Sequence, residues 1–387
     1  MIAYHKAEEI QLVHSGSNYF EVLEQLINES KEIIHLQTYI FDSDKTGLRI
    51  IEALKNAAKR KVTIFVLADA FGSNSLSSTF IKELNSCGIH FRLFSPLFSS
   101  ESVFFGRRLH HKIAVADKRV ALVGGINIAD KYYGINVETK AWLDYAILVR
   151  GSVCEYLHKL CEQFYERKKF STTKEWERSV FQPHIGVDPM MVRFRRNDWI
   201  KGRNEIYKSY INAIADSKKS IVIVASYFLP GIRFRRLLKK AALRGVETKI
   251  ILAGKSDIAS VRFAESYLYE FYLRNKIQIY EWTNSVMHAK AMAVDNEWAT
   301  IGSYNLNYLS HHVSIELNVD IADPHFVKSF TTHIDQIINN HCKKIILEET
   351  IKKNTWSIRW KMRLSYMFYK VLKAILVSKK KYKERKG

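Results

Sequence analysis

The sequence predicts an α/β protein of two similar tandem domains. Each would be a mostly parallel or mixed sheet flanked by helices, with the active site at the pseudo-two-fold interface between them. Three observations lead there. A strand–helix pattern occurs twice. A His-x-Lys segment stands at the matching place in each copy. The length, 387 residues, suits two domains of ~100–200 residues.

The elements can be taken in order. Ile33 to Phe41 (IIHLQTYIF) and Ile221 to Pro230 (IVIVASYFLP) both read as apolar strands. A helical pattern and a second strand follow each, in ALKNAAKRKVTIFVLAD from Ala53 and LLKKAALRGVETKIILAG from Leu237. Another helical stretch leads to HFRLFSP from His90 and IQIYEW from Ile277. Strands alternating with helices predict a mostly parallel sheet with helices on both faces. The first copy is about ten residues longer before its His, with the excess around Ser95 to Arg108 (SPLFSSESVFFGRR). Leu97, Phe98, Phe104 and Phe105 in that excess read either as a hydrophobic lip for acyl chains or as burial under the loop. Arg167 to Asp198, with Pro183 and Pro189 as breakers, is expected to hold the linker. The domains are therefore expected at 1–175 and 176–350, with a tail at 351–387.

Composition excludes several classes. A hydrophobic content of 47% and only 5 Pro do not fit a disordered chain. Four Cys in a chain this long form no CxxC pair and no disulfide scaffold; Cys154 and Cys161 read as core. No apolar run reaches the ~18 residues that span a bilayer, and Met1 to Glu9 has no signal-peptide core. Reduced thiols and no leader lead us to expect a cytoplasmic protein. The net charge of +21 points to a polyanion, either nucleic acid or an anionic membrane surface.

That charge is uneven. Ile351 to Gly387 holds 13 Lys or Arg and one acid, Glu384. Met362, Leu364, Met367, Phe368, Val371, Leu372 and Ile375 recur there at helical spacing, with Lys361, Arg363, Lys370 and Lys373 between them. A basic amphipathic helix of this kind lies in a membrane interface, and Trp356, Trp360, Tyr366 and Tyr369 suit headgroup depth. A helix packed on the body with a frayed basic end is the other reading.

The chemistry is carried by His110-x-Lys112, Asp117, Gly124 and Asn127, and by His288-x-Lys290, Asp295, Gly302 and Asn305. The spacing is the same in both copies, HxKxxxxD, six residues, GxxN. In a strand, residues two apart point to one side. His110 and Lys112 therefore project together, as do His288 and Lys290. His111 does not make the two-residue step to Lys. A pseudo-two-fold axis would place two imidazoles and two ammonium groups around one anion. Lysines neutralise phosphate oxygens. One neutral His can attack phosphorus and the other can move the proton of the alcohol. Asn127, Ser303 and Asn305 could donate to phosphate oxygens. A catalytic His needs its second nitrogen oriented; Asp144 in WLDYAILV and Glu316 in SIELNVDI stand at similar downstream offsets. Asp117 and Asp295 follow apolar strands and read as holding the next turns.

The duplicated motif resembles the HKD signature of the phospholipase D superfamily, from about Phe20 to Asp323. Within it the similarity is to bacterial cardiolipin synthases. The residues are RLHHKIAVADKRVALVGGINIADKYYG from Arg108, Trp142-Leu143-Asp144, Ser226 to Pro230, Tyr280-Glu281-Trp282, and HAKAMAVDNEWATIGSYNLN from His288. The resemblance implies phosphatidyl transfer between two phosphatidylglycerol molecules through a phosphohistidine, releasing glycerol. Phosphatidylethanolamine is the acceptor in some relatives. It implies His110 as nucleophile, His288 as acid and base, and Lys112, Lys290, Asp117 and Asp295 as the rest of the catalytic signature. It also implies Asp144 and Glu316 as orienting acids, reaching across to the other half's His. No metal or other cofactor is implied, and no ligand spacing asks for one. Many such synthases carry two N-terminal transmembrane helices. This chain resembles the shorter peripheral members, expected on the cytoplasmic face of the membrane. Gly125 stands where the second motif has Ser303, and His311-His312 stand where the family often has Arg-Ser. A phospholipase D-type hydrolase of phospholipid or nucleic acid is the alternative. The fused double copy and basic tail speak against a nuclease.

Overall fold

A computed structural model describes residues 3–96, 107–134, 140–167, 190–199, 201–255, 258–307, 314–353 and 355–384. The first half runs β1 (His5–Lys6), β2 (Glu9–His14), α1 (Ser17–Glu29), β3 (Ile33–Thr38), α2 (Lys45–Lys59), β4 (Thr63–Asp69), α3 (Ser78–Ser86), β5 (Ile89–Phe94), β6 (Arg108–Leu109), β7 (Lys112–Ala116), β8 (Val120–Gly124), α4 (Asp130–Tyr133), β9 (Tyr145–Arg150) and α5 (Cys154–Glu166). The second runs β10 (Met191–Asp198), β11 (Arg203–Asn204), α6 (Glu205–Asp216), β12 (Ser220–Ala225), α7 (Ile232–Leu243), β13 (Glu247–Ala253), α8 (Ala259–Arg274), β14 (Gln278–Trp282), β15 (Lys290–Val294), β16 (Trp298–Gly302), β17 (Ser314–Ala322) and α9 (Pro324–His341). β18 (Cys342–Lys344), α10 (Leu347–Lys353) and α11 (Trp356–Glu384) end the chain.

The two sheets repeat one topology. The order β2-β9-β8-β7-β3-β4-β5 in one is matched by β10-β17-β16-β15-β12-β13-β14 in the other. The sheets are mixed rather than mostly parallel. In each, the outer steps β3–β4–β5 and β12–β13–β14 are parallel, as is the added strand β6 beside β17 in the second sheet. The His-x-Lys strands instead return by hairpins, β7–β8 and β15–β16. Each hairpin turn has two central residues at positive φ, Asp117 and Lys118 in one and Asp295 and Asn296 in the other. This mirror-image turn matches strand twist, so no crossover helix is needed.

Helices do not cover both faces of each sheet equally. Outward side chains pack on α1 and α2 in one half, and on α6, α7 and α8 in the other. The inward faces meet each other in one core, where Ile113, Val115, Val123 and Ile147 share burial with Val224, Ala291, Ile301 and Val319. Strands alternate their side chains, so a central strand such as β7 is apolar on both faces after its first residue, the buried Lys112.

Two strands are exchanged. β1 pairs with β10, and β6 pairs with β17, so the first half contributes to the second half's sheet. The expected linker at 167–198 ends earlier than its pattern suggested. Met191–Asp198 is strand β10, because its residues lie in register with β17. Residues 168–189, with Pro183, Pro189 and the 175/176 boundary, lie outside the described residues. So do Leu97, Phe98, Phe104, Phe105, His311 and His312.

The tail helix packs on the body and keeps a second apolar face exposed. Met362, Tyr366 and Tyr369 dock α11 on the body. Met362 is buried, Tyr366 stacks on Tyr267 at 4.8 Å and accepts from Arg235 at 3.0 Å, and the Tyr369 hydroxyl lies 2.9 Å from Ser260 Oγ. Trp356, Trp360, Leu364, Met367, Phe368 and Val371 remain exposed. At ~100° per residue they centre opposite the docked face, with Arg359, Lys361, Arg363 and Lys370 on the borders. The single apolar face expected from Met362 through Val371 is thus two faces, since Met362 is turned inward.

Candidate active site

The site is built where the halves cross. The His110 N–H, just past β6, donates to Ile315 O at 3.0 Å. The next residue, Glu316, places Oε2 2.9 Å from His110 Nδ1. The mirror arrangement holds His288. Its N–H donates to Leu143 O at 2.8 Å, and the next residue, Asp144, places Oδ2 2.6 Å from His288 Nδ1. Each half therefore supplies a histidine to its own site and a carboxylate to the other. With Nδ1 held, Nε2 of each ring has no partner among the described residues.

The lysines fold back beside their histidines, as the two-residue step requires. Lys112 Nζ donates to His110 O at 2.5 Å. Lys290 Nζ donates to His288 O and lies 2.7 Å from its Nδ1. His111 takes the other side of the strand, where its Nε2 meets Gln37 Oε1 at 2.9 Å in the interior.

Four formal charges, on Lys112, Lys290, Asp144 and Glu316, are buried together. Buried ions persist when paired, and two cations here face two anions. Burial pulls the Lys112 ammonium down to about 7, against the opposing pull of Glu316. Burial pushes the Asp144 carboxyl up to about 6, against Lys290. His288 is held well below its ordinary value by burial and then by Lys290. His110 is also lowered by burial, with Glu316 opposing. Neutral imidazoles beside ammonium groups suit attack on an anionic phosphodiester. Arrival of that anion would return protons to the lysines and histidines.

Asp117 and Asp295 have a different task from the one their place in the signature suggests. Asp117 accepts from the backbone N–H of Lys31, Glu32 and Ile33, and Asp295 from Lys218, Lys219 and Ser220. Three charge-assisted bonds pin each hairpin turn to the start of the neighbouring strand. The carboxylates are consumed there and do not face the histidines.

Asn127 and Ser303 also differ from the expected phosphate donors, and Asn305 uses its oxygen within the protein. Asn127 Oδ1 accepts from Ile40 N at 3.1 Å, and its Nδ2 donates to the Tyr132 hydroxyl at 2.7 Å. Both ends of the amide are used. Ser303 Oγ donates to Glu316 Oε2 at 2.5 Å, and Asn305 Oδ1 accepts from Ser226 Oγ at 2.8 Å. These buried side chains brace the site because unpaired polar groups there would be costly.

Three aromatic residues around the histidines are given no role by the sequence. Tyr39 lies 5.0 Å from the His110 ring, and Tyr132 lies 5.4 Å from the His288 ring. Trp142 lies 6.1 Å from His288 and 5.4 Å from Tyr132. Tyr39 had a signal, since it ends the strand that matches the one before Tyr227. Tyr132 had none. Phe228, one residue past Tyr227, is instead buried in the outer core against Phe234 and Tyr272.

The chain can now be set beside known proteins. It is 31% identical over 381 residues to cardiolipin synthase B of Escherichia coli (strain K12), covering 97% of this chain and 91% of that one. It is 29% identical to cardiolipin synthase 2 of Bacillus cereus, covering 90% of this chain and 70% of that one. The fold is similar to phosphatidylserine synthase of Haemophilus influenzae Rd KW20, with a TM-score of 0.74 at 16% identity over 96% of each chain. The family model described as "Cardiolipin synthase, PLD-like domain" matches residues 23–160 and 210–338, one segment in each half. The chain therefore belongs to the cardiolipin synthase family of phospholipase D-like proteins.

Proposed function

We propose that the protein is a phosphatidyltransferase that makes cardiolipin from two phosphatidylglycerol molecules. The observation that carries this reading is the crossed pairing of each motif His with the other half's carboxylate, which leaves two Nε2 atoms for one phosphate. Lys112 and Lys290 hold the donor's phosphate oxygens. His110 Nε2 attacks phosphorus, and the bond from phosphorus to the glycerol oxygen breaks. His288, which gains its proton as the phosphate anion arrives, gives it to the leaving glycerol. A hydroxyl of the second phosphatidylglycerol then attacks the phosphohistidine. His288 takes that proton, the P–N bond breaks, and His110 is released neutral.

The two faces of α11 support action at a membrane surface. Among the described residues no helix is long and apolar enough to cross a bilayer. An exposed row of Trp, Leu, Met, Phe and Val bordered by cations suits an anionic interface, where each Lys or Arg contributes ~1 kcal/mol. Such a surface is the cytoplasmic leaflet. Deleting 356–387 should weaken sedimentation with phosphatidylglycerol vesicles and make it less salt-sensitive; unchanged sedimentation would remove the tail from this role.

The test of the chemistry is lipid mass spectrometry on protein mixed with phosphatidylglycerol vesicles, with His110→Ala as control. Cardiolipin with free glycerol, absent in the control, is the expected result. Phosphatidic acid instead would mean that water is the acceptor. No lipid product, with cleavage of a nucleic acid, would favour a nuclease.

A further inference from the structure

The two flanks of the site differ in free charge. On the His110 flank, Arg108 lies over the Phe71 ring at 5.4 Å, but Asp69 stands 3.6 Å away and balances it. On the His288 flank stands Lys131. Its Nζ lies 5.0 Å from the Trp142 ring centroid and 5.8 Å from that of Tyr132. These are the rings that flank His288. The backbone N–H of Trp142 donates to Lys131 O at 2.9 Å, which ties the two segments together. Lys131 is exposed, and no acid among the described residues pairs with it. Its charge is close enough to contribute to lowering His288. The shelf belongs to one half only. Four residues past Asn305 the sequence has Leu309, and two before Glu316 it has Ser314.

The reaction is asymmetric in the same sense. His288 serves the oxygen that leaves and the oxygen that attacks. Whatever is attached to the attacking oxygen lies on the His288 flank. A phosphatidylglycerol acceptor carries its own phosphate one glycerol unit from that oxygen. The lysines of the two motifs are occupied by the phosphate already bound to His110. A second anion needs a second cation, and Lys131 is the cation on that flank.

We propose that Lys131, held over Trp142, is the subsite for the acceptor's own phosphodiester and selects a phosphate-bearing alcohol over water and neutral alcohols. This inference rests on the transferase reading. An ammonium over an aromatic face keeps its protons available to an anion, and a charge-assisted bond of this kind is worth roughly tenfold in binding.

The experiment is acceptor competition with phosphatidylglycerol as donor. The acceptors are phosphatidylglycerol itself, glycerol 3-phosphate and ethanol. Lys131→Met is expected to lower cardiolipin and the glycerol 3-phosphate adduct about tenfold relative to phosphatidylethanol, and Lys131→Arg to restore the wild-type ratio. A lower cardiolipin yield with an unaltered glycerol 3-phosphate yield would overturn recognition of phosphate. An equal fall for all three acceptors, or no fall, would also overturn the subsite. Failure of the wild-type protein to form any of the three products would instead refute the transferase reading.

Discussion

On the His110 side a glutamate reaches the imidazole and leans on a serine hydroxyl. On the His288 side a shorter aspartate does the reaching, and Gly125 stands where the serine would be. A Cβ at Gly125 would strike both Asp144 carboxylate oxygens. At Ser303 the Cβ is tolerated, and its Oγ braces Glu316 Oε2 instead. His288 also shares Nδ1 with Lys290, whereas the Nδ1 of His110 meets its carboxylate alone. One topology thus carries two unequal histidines. The difference teaches that one repeated plan can carry two unlike supports, set apart by side-chain length and a missing Cβ.

The largest test separates the histidines themselves. His110→Ala and His288→Ala should each lower lipid turnover by ~10³-fold or more. A p-nitrophenyl phosphodiester, whose leaving group needs no proton, should break the tie. His288→Ala should still release a burst of nitrophenol and label His110, while His110→Ala should do neither. The reverse pattern would exchange the two assignments.

Removing the carboxylates should come next. Asp144→Asn and Glu316→Gln keep shape but lose the charge that supports an imidazolium, and each is expected to cost ~10²-fold or more in kcat. Their pH profiles should differ. For the free protein kcat/KM should rise as Asp144 ionises near about 6 and fall as Lys112 loses its proton near about 7. Residual activity of Asp144→Asn should lack the acid limb, and Glu316→Gln should keep it. Identical profiles would mean that the acid limb belongs to another group.

The braces are expected to matter least, and unequally. Gly125→Ala should displace Asp144 and lower activity by ~10-fold or more, because the Asp144 carboxylate occupies the space of the new methyl. Ser303→Ala removes one bond to a buried carboxylate and should cost about 3–10-fold. Equal losses would erase the distinction between the two supports.

Much of this was legible before any coordinates. The repeat, the motif spacing and the two-residue step from His to Lys are local regularities, and strand alternation turns them directly into a shared face. Asp117 and Asp295 are partly legible, since an acid after an apolar strand suits a turn. Their three backbone partners are not, because those N–H groups lie 84 to 86 residues away for Asp117 and 75 to 77 for Asp295, at the start of another strand. Asn127 shows the limit of residue type as a guide. A buried amide can serve a phosphate or a backbone, and only the neighbours decide.

The sequence by itself determined the two-fold plan, the identity of the histidines and lysines, and a helical basic tail, because each follows from periodicity along a single segment. Residue patterns left the crossed pairing unspecified and only the family resemblance implied it; tertiary structure gives it a geometry, with Glu316 serving His110 across 206 residues and Asp144 serving His288 across 144. It also decided that α11 keeps one apolar face inward and one outward, and that Lys131 lies over Trp142 with no paired acid among the described residues. These are relations between segments, set by the exchange of β6 onto β17 and by packing of the two sheets. No local pattern encodes which distant surface a side chain will meet.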